Sequence, residues 1–181
     1  MHSSYRSRFE QALRFAEFLE RAVKNAQLWR DTYRLVRVPE ELVARAAAVP
    51  GPWHLLVIFE DWCGDAVNTV PHLARLAELA RNLDLRVVGR EDNPDLMDAH
   101  LTNGTRSIPV VIALDTGFVE HGWWGPRPTE LQRWATTLGK TLEKDERYKH
   151  IRTWYARDRG RTTLDEVVSL LERAARQDAA A

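Results

Sequence analysis

Residues 53–71 read Trp53-His-Leu-Leu-Val-Ile-Phe-Glu-Asp-Trp-Cys-Gly-Asp-Ala-Val-Asn-Thr-Val-Pro71 and join a predicted strand to a predicted helix. The apolar run Leu55–Phe59 is typical of a fully buried strand. After Cys63 and Gly64, apolar residues recur at steps of three and four, which predicts a helix over residues 65–82. A buried strand therefore ends, the chain turns, and a helix begins with a thiol at its first turn.

The position of Cys63 at the start of a helix has a chemical consequence. The first backbone N–H groups of a helix lack intrahelical partners, and the positive end of the helix dipole lies there. Both features stabilise a thiolate, so we expect a lowered pKa for Cys63 and a nucleophilic thiol at neutral pH. Asp65 opposes this effect, because a nearby carboxylate raises the pKa of a cysteine. Asp65 is either a helix-start residue, which is the simpler interpretation, or a proton acceptor for the thiol.

The sequence Trp62-Cys63-Gly64 at a strand-to-helix turn resembles the active site of thioredoxin-fold proteins. Pro71 lies eight residues after the cysteine, at the position where thioredoxins kink this helix. The extended form Trp-Cys-Gly-Asp, which includes Asp65, resembles a bacterial thioredoxin-like subfamily more than thioredoxin itself.

A second set of positions matches the same family in spacing. Ile108-Pro109 precedes the apolar run 110–112 and resembles the cis-proline of thioredoxins with the strand that follows it. Gly117 and Gly125 lie eight and sixteen residues after that proline, where the family carries a hairpin glycine and a strand-end glycine. The Ile108–Pro109 bond is therefore predicted to be cis, a conformation that only about 5% of X–Pro bonds in folded proteins adopt.

The resemblance implies an α/β protein with a thioredoxin-like fold. We expect a central mixed sheet of four to five strands, flanked by helices and extended by further helices at both ends. The chain is predicted to form a single domain, since 181 residues suit one hydrophobic core. Within it, residues 1–50 form an N-terminal helical extension, 51–140 the thioredoxin-like core and 141–181 a C-terminal helical extension.

The two extensions carry their own helix signals. An apolar stripe predicts one amphipathic helix over residues 7–30, and Thr163 with Glu166 forms a capping box that opens a last helix over 163–176. Both helices are expected to pack on the core, because their apolar stripes are too small to stand alone. No strand is evident before residue 50, so the usual first strand is either missing or formed by residues 33–38.

The departures from the thioredoxin pattern bear on function. Ala66 occupies the position of the second active-site cysteine, so a two-thiol mechanism cannot run within this chain. The resemblance then implies thiol–disulfide chemistry in cell redox homeostasis, through mixed disulfides on Cys63 that an external thiol resolves. The alternative is a redox-inactive thioredoxin-fold module that binds a partner peptide in the cis-proline groove.

The expected ligand is a protein or a low-molecular-weight thiol or disulfide. Proline has no N–H, so the backbone of the residue before it is the natural contact for an extended ligand. The candidate site comprises catalytic Cys63 and Asp65, and substrate-contacting Trp62, Gly64, Ile108 and Pro109.

Composition excludes several other classes of function. One cysteine excludes an intrachain disulfide and a cysteine-based zinc site, and the six histidines show no metal-ligand spacing, so we expect no metal and no cofactor. Lys plus Arg and Asp plus Glu both number 26, which gives no electrostatic case for nucleic acid or an anionic membrane. The N-terminus has no apolar signal-peptide core, and a cytoplasmic location is expected.

Overall fold

The computed structural model describes residues 4–178, and its centre is a five-stranded mixed sheet. The strand order is β1-β3-β2-β4-β5, with β2 parallel to β3 and the other neighbours antiparallel. This arrangement confirms the predicted α/β class, with a mixed sheet flanked by helices. The strands are Leu13–Arg14 (β1), Trp53–Phe59 (β2), Leu83–Gly89 (β3), Val110–Leu114 (β4) and Glu120–Trp124 (β5).

Helices precede, connect and follow these strands. None of those within residues 4–178 combines the length and the apolar character needed to cross a membrane. The α-helices are Tyr5–Gln11 (α1), Phe15–Arg21 (α2), Ala26–Leu35 (α3), Glu40–Ala48 (α4), Gly64–Leu79 (α5), Pro94–Asp98 (α6), Thr129–Thr136 (α7), Lys144–Asp158 (α8) and Arg161–Asp178 (α9).

Strand β2 carries the site because it lies in the middle of the sheet and ends just before Cys63. Every residue of β2 except His54 is buried, as expected for a strand that is covered on both faces. Helix α5 then returns the chain antiparallel to β2, so that β3 can pair parallel with it, from Trp53 opposite Leu83 onwards. Pro71 lies inside α5, as expected from the resemblance.

The prediction of one helix over residues 7–30 is wrong. The chain leaves the helical conformation after α1, and Leu13 and Arg14 pair antiparallel with Val87 and Arg86 of β3. The apolar spacing persists across these breaks because α1, α2 and α3 all turn an apolar face to the same core. The first strand is therefore β1, and residues 33–38 hold only the end of α3 and an irregular segment.

The predicted capping box at Thr163 and Glu166 is also wrong. Helix α9 begins at Arg161, so Thr163 lies inside the helix and is buried, with a relative exposure of 1%. The Glu166 carboxylate instead accepts hydrogen bonds from Trp124 Nε1 at 2.6 Å and from the backbone N–H of Thr129 at 2.9 Å. It joins α9 to the end of β5 and the start of α7.

The N-terminal helices, α9 and the sheet share one hydrophobic core. Phe9, Phe15 and Trp29 from the N-terminal helices belong to the same buried cluster as Leu164 and Leu171 of α9 and the residues of β2. Packing of their apolar faces against this core is what stabilises short helices in a folded protein. The division of the chain at residues 50 and 140 stays a prediction.

Burial of His72 on α5 makes stability depend on pH. The ring packs against Gly160, where φ is +78° and an added Cβ would lie 2.3 Å from the imidazole. Burial lowers the pKa of His72 from 6.5 to about 4, although the charge of Asp158 opposes the shift. Below about pH 6.5 the unfolded chain binds a proton at this position that the folded chain does not bind, so stability falls as the pH falls.

We expect His72→Phe to reduce the loss of stability in acid. A shift from 6.5 to about 4 corresponds to about 3 kcal/mol of unfolding free energy, present near neutral pH and lost progressively towards pH 4. The difference in unfolding free energy between variant and wild type should therefore grow in favour of the variant as the pH falls. Urea unfolding across this pH range measures it. His150→Phe, which changes an exposed ring stacked on Trp134, is the matched control. Identical acid dependence in wild type and His72→Phe would contradict the assignment.

Candidate thiol site

Cys63 is the residue that caps helix α5. Its backbone is extended, with φ −79° and ψ 114°, and its Sγ accepts a hydrogen bond from the backbone N–H of Ala66 at 3.4 Å. The next turn closes through the Val67 N–H, which donates to the Cys63 carbonyl at 3.1 Å. The thiol therefore occupies the place of an N-cap side chain, as the sequence indicates.

The opposite side of the sulfur faces the segment before β4. The Cys63 thiol donates its hydrogen to the carbonyl oxygen of Ile108, with 3.5 Å between Sγ and O. The Ile108–Pro109 peptide bond is cis. The hydrogen bond to the carbonyl exists only while the sulfur is protonated, so it favours the neutral thiol over the thiolate.

Burial controls the acidity of this thiol. Cys63 is only 6% exposed, and loss of solvation raises its pKa from 9.0 to about 11. The Ala66 N–H lowers the pKa and the Asp65 charge raises it, but both effects are smaller than that of burial. The expectation of a lowered pKa is therefore wrong, because the helix N-terminus is outweighed by the transfer of the sulfur out of water. At neutral pH the thiol is protonated.

Asp65 lies in the first turn of α5 and is held in a largely buried ion pair. Arg127 donates from Nε to Oδ1 at 2.8 Å and from a terminal nitrogen to Oδ2 at 2.5 Å. The hydroxyl of Tyr155 donates to Oδ1 at 2.9 Å, and Gln132 accepts from the remaining terminal nitrogen of Arg127 at 3.0 Å. These are the contacts of a structural ion pair, and the catalytic role of Asp65 stays a prediction.

Arg127 and Tyr155 are the site residues that sequence reasoning misses. They lie 62 and 90 positions after Asp65, and neither belongs to a motif with it. Tyr155 lies four residues after Ile151 on α8, and both are buried, a spacing that indicates an inward side chain but not its partner. Burial, with the Asp65 charge as a smaller cause, raises the pKa of Tyr155 far above its usual value, so its hydroxyl remains a donor.

A cavity of about 450 Å³ opens above the thiol, and we call it the Cys63 cavity. Leu28 of α3 contributes to its wall, as do Tyr148 and Arg152 of α8. Trp62 stands at the rim with 49% of its surface exposed, and the Arg90 guanidinium lies over its ring at 5.1 Å. The terminal helices therefore shape the surroundings of the thiol, which is set in a recess.

Five of the six predicted site residues line this cavity, namely Trp62, Cys63, Gly64, Asp65 and Ile108. An added Cβ at Gly64 would meet nothing within 4 Å, so the space beside the sulfur is open there. Pro109 lies outside the lining, and its carbonyl packs against Gly125, where an added Cβ would come within 2.1 Å. The substrate-contacting roles of these residues stay predictions.

Comparison with known proteins agrees with this architecture. The chain belongs to the thioredoxin family, because the family model Thioredoxin_9, described as thioredoxin, matches residues 12–156. A solved Pseudomonas aeruginosa protein of unknown function is 22% identical, with a TM-score of 0.75 over 95% of this chain and 99% of that chain. An HIV epitope-scaffold is 20% identical, with a TM-score of 0.71 over 94% and 98%. Identities this low show the fold alone, and no curated protein matches the chain.

We expect Asp65→Asn to lower the pKa of Cys63 by about one unit. The carboxylate raises the thiol pKa while Arg127 lowers it, so removal of the negative charge leaves the arginine unopposed. The pH dependence of alkylation by iodoacetamide measures the shift, with thermal unfolding recorded alongside because a buried arginine loses its partner. Asp61→Asn is the control, since Asp61 is nearby but accepts from the backbone N–H groups of Val23 and Lys24. An unchanged alkylation profile in Asp65→Asn would show that the carboxylate does not influence the sulfur.

Proposed function

We propose that this protein acts in thiol–disulfide chemistry, in cell redox homeostasis, through Cys63 alone. The observation that carries the proposal is the sulfur itself, which caps α5 and lines an open cavity while Ala66 replaces a second thiol. The Trp62-Cys63-Gly64-Asp65 sequence supports a monothiol variant within a bacterial thioredoxin-like subfamily. A reducing compartment such as the cytoplasm supplies the external thiols that this chemistry requires.

The exchange reaction needs two steps with separate partners. The Cys63 thiolate attacks one sulfur of a disulfide, the disulfide bond breaks, and the leaving thiolate takes the proton that Cys63 has lost. The products are a mixed disulfide on Cys63 and one free thiol. An external thiolate then attacks the outer sulfur of the mixed disulfide, which releases a new disulfide and restores the Cys63 thiol.

The raised pKa of Cys63 slows both steps, each for its own reason. At neutral pH the thiolate fraction is about one in ten thousand, so capture of a disulfide is slow. Once the adduct exists, Cys63 is a poor leaving group, because thiols of high pKa leave slowly. No neighbouring thiol can act at high effective concentration, since Ala66 stands at that position. The mixed disulfide is therefore persistent, and the protein suits retention of one half of a disulfide more than rapid turnover.

Mass spectrometry of the native protein after incubation with oxidised glutathione tests this proposal. We expect a single adduct on Cys63, with a rate that rises about tenfold per pH unit between pH 7 and pH 10, since the thiolate fraction follows the raised pKa. Excess reduced glutathione should remove the adduct.

Cys63→Ser should form no adduct under the same conditions. If the native chain stays unmodified at every pH while the urea-denatured chain reacts readily, the thiol is inert in the fold. The redox proposal would then fail, which would leave the alternative, a thioredoxin-fold module that binds a peptide at the cis-proline groove, as the next to test.

A further inference from the structure

The charged side chains that line the Cys63 cavity are mostly cationic. They are Arg90, Arg106, Arg127 and Arg152, against the single carboxylate of Asp65. Asp65 is held by Arg127 through two hydrogen bonds, so those two charges neutralise one another. Three arginines therefore remain around the cavity, and no lining carboxylate faces them.

These three arginines differ in how they are held. Arg106 makes two 2.7 Å hydrogen bonds to Asp98, and both side chains are about half exposed. Arg90 pairs with Glu91 at 2.9 Å from Nε and also donates to the Arg106 carbonyl at 3.2 Å. Arg152, an exposed residue of α8, has no salt-bridge partner among the side chains described for residues 4–177. Arg152 is thus the cation at this cavity that is available to an incoming anion.

The shape of the cavity limits the size of the ligand. Its volume of about 450 Å³ lies within the range of small-molecule sites, which is about 300–1,000 Å³. Leu28 on one helix and Tyr148 on another stand at the wall with 50% and 43% of their surfaces exposed, while Cys63 is only 6% exposed. We therefore expect a small disulfide to reach Cys63 more readily than a disulfide on the surface of a folded protein.

We propose that the partner of Cys63 is a small thiol or disulfide that carries carboxylates, and that Arg152 attracts it to the cavity. This inference rests on the proposed thiol–disulfide function and names its substrate class. The apolar wall accommodates the carbon skeleton of such a molecule, the arginines face its carboxylates, and its sulfur lies against Cys63.

Three disulfide probes of different charge test the inference on the intact protein. They are oxidised glutathione, which is anionic, 2-hydroxyethyl disulfide, which is neutral, and cystamine, which is cationic. The rate of adduct formation on Cys63 is measured for wild type, for Arg152→Glu and for Arg157→Glu. Arg157 is the matched control, because it lies on the same helix but lines a different surface cavity.

We expect Arg152→Glu to slow the anionic probe by about fivefold and to speed the cationic probe by a similar factor. The neutral probe should react at the same rate with wild type and with Arg152→Glu. Its rate therefore reports any change in the reactivity of the Cys63 thiol that does not depend on the charge of the probe. Arg157→Glu should match wild type for all three probes. Added salt should reduce the difference between the anionic and cationic probes in wild type.

Two results would overturn the inference while the proposed function stands. One is an equal effect of Arg152→Glu on all three probes, and the other is a folded protein disulfide such as insulin that modifies Cys63 as fast as oxidised glutathione does. If no probe modifies native Cys63, the proposed function itself fails and the inference falls with it.

Discussion

The ion pair between Asp65 and Arg127 is the contact on which the thiol site depends. It joins the first turn of α5 to the segment after β5, and the Tyr155 hydroxyl extends it to α8. Loss of one member of a buried pair costs about 3–5 kcal/mol, because the other charge is left without a partner. The pair therefore fixes the start of α5, where Cys63 is the cap, and holds α8 as one wall of the cavity.

In the same pair, the positive charge of Arg127 counteracts the effect of the Asp65 carboxylate on the Cys63 thiol, but it does not lower the pKa of the thiol below its ordinary value. Arg127 opposes the effect of the Asp65 charge on the pKa of Cys63, and burial is the largest influence on that pKa and keeps the thiol protonated. A thiol with such a raised pKa attacks disulfides slowly, and it is also a slow leaving group from the mixed disulfide that it forms. The recess, the absent second cysteine and the cationic lining support the proposal that the protein exchanges with a small acidic disulfide, keeps one half of it as a mixed disulfide and releases that half only to another thiol.

Local sequence pattern accounts for the central part of the fold and fails where contacts are long-range. The turn between β2 and α5 was predictable because an apolar run ends just before Cys63, and apolar residues recur at helical spacing just after it. Strand β1 was not predictable, because a strand of only two residues is too short to show an alternation of apolar and polar residues. The contacts of Arg127 and Tyr155 were equally hidden, because the sheet and α8 bring them to Asp65. The pKa of Cys63 was predicted to be lowered, but it is raised. The prediction failed because the burial of a side chain depends on the whole structure and not on the local sequence.

The protonation state of Cys63 is the central claim, and the single cysteine makes it directly measurable. A protein labelled with ¹³C at the cysteine β carbon gives one signal, whose chemical shift reports thiol or thiolate during a pH titration. We predict that the native signal stays at the thiol position up to about pH 9, consistent with a pKa of about 11, while the denatured chain titrates near the ordinary value of 9.0. A native midpoint below about pH 8 would contradict the account, because the helix N-terminus would then outweigh burial.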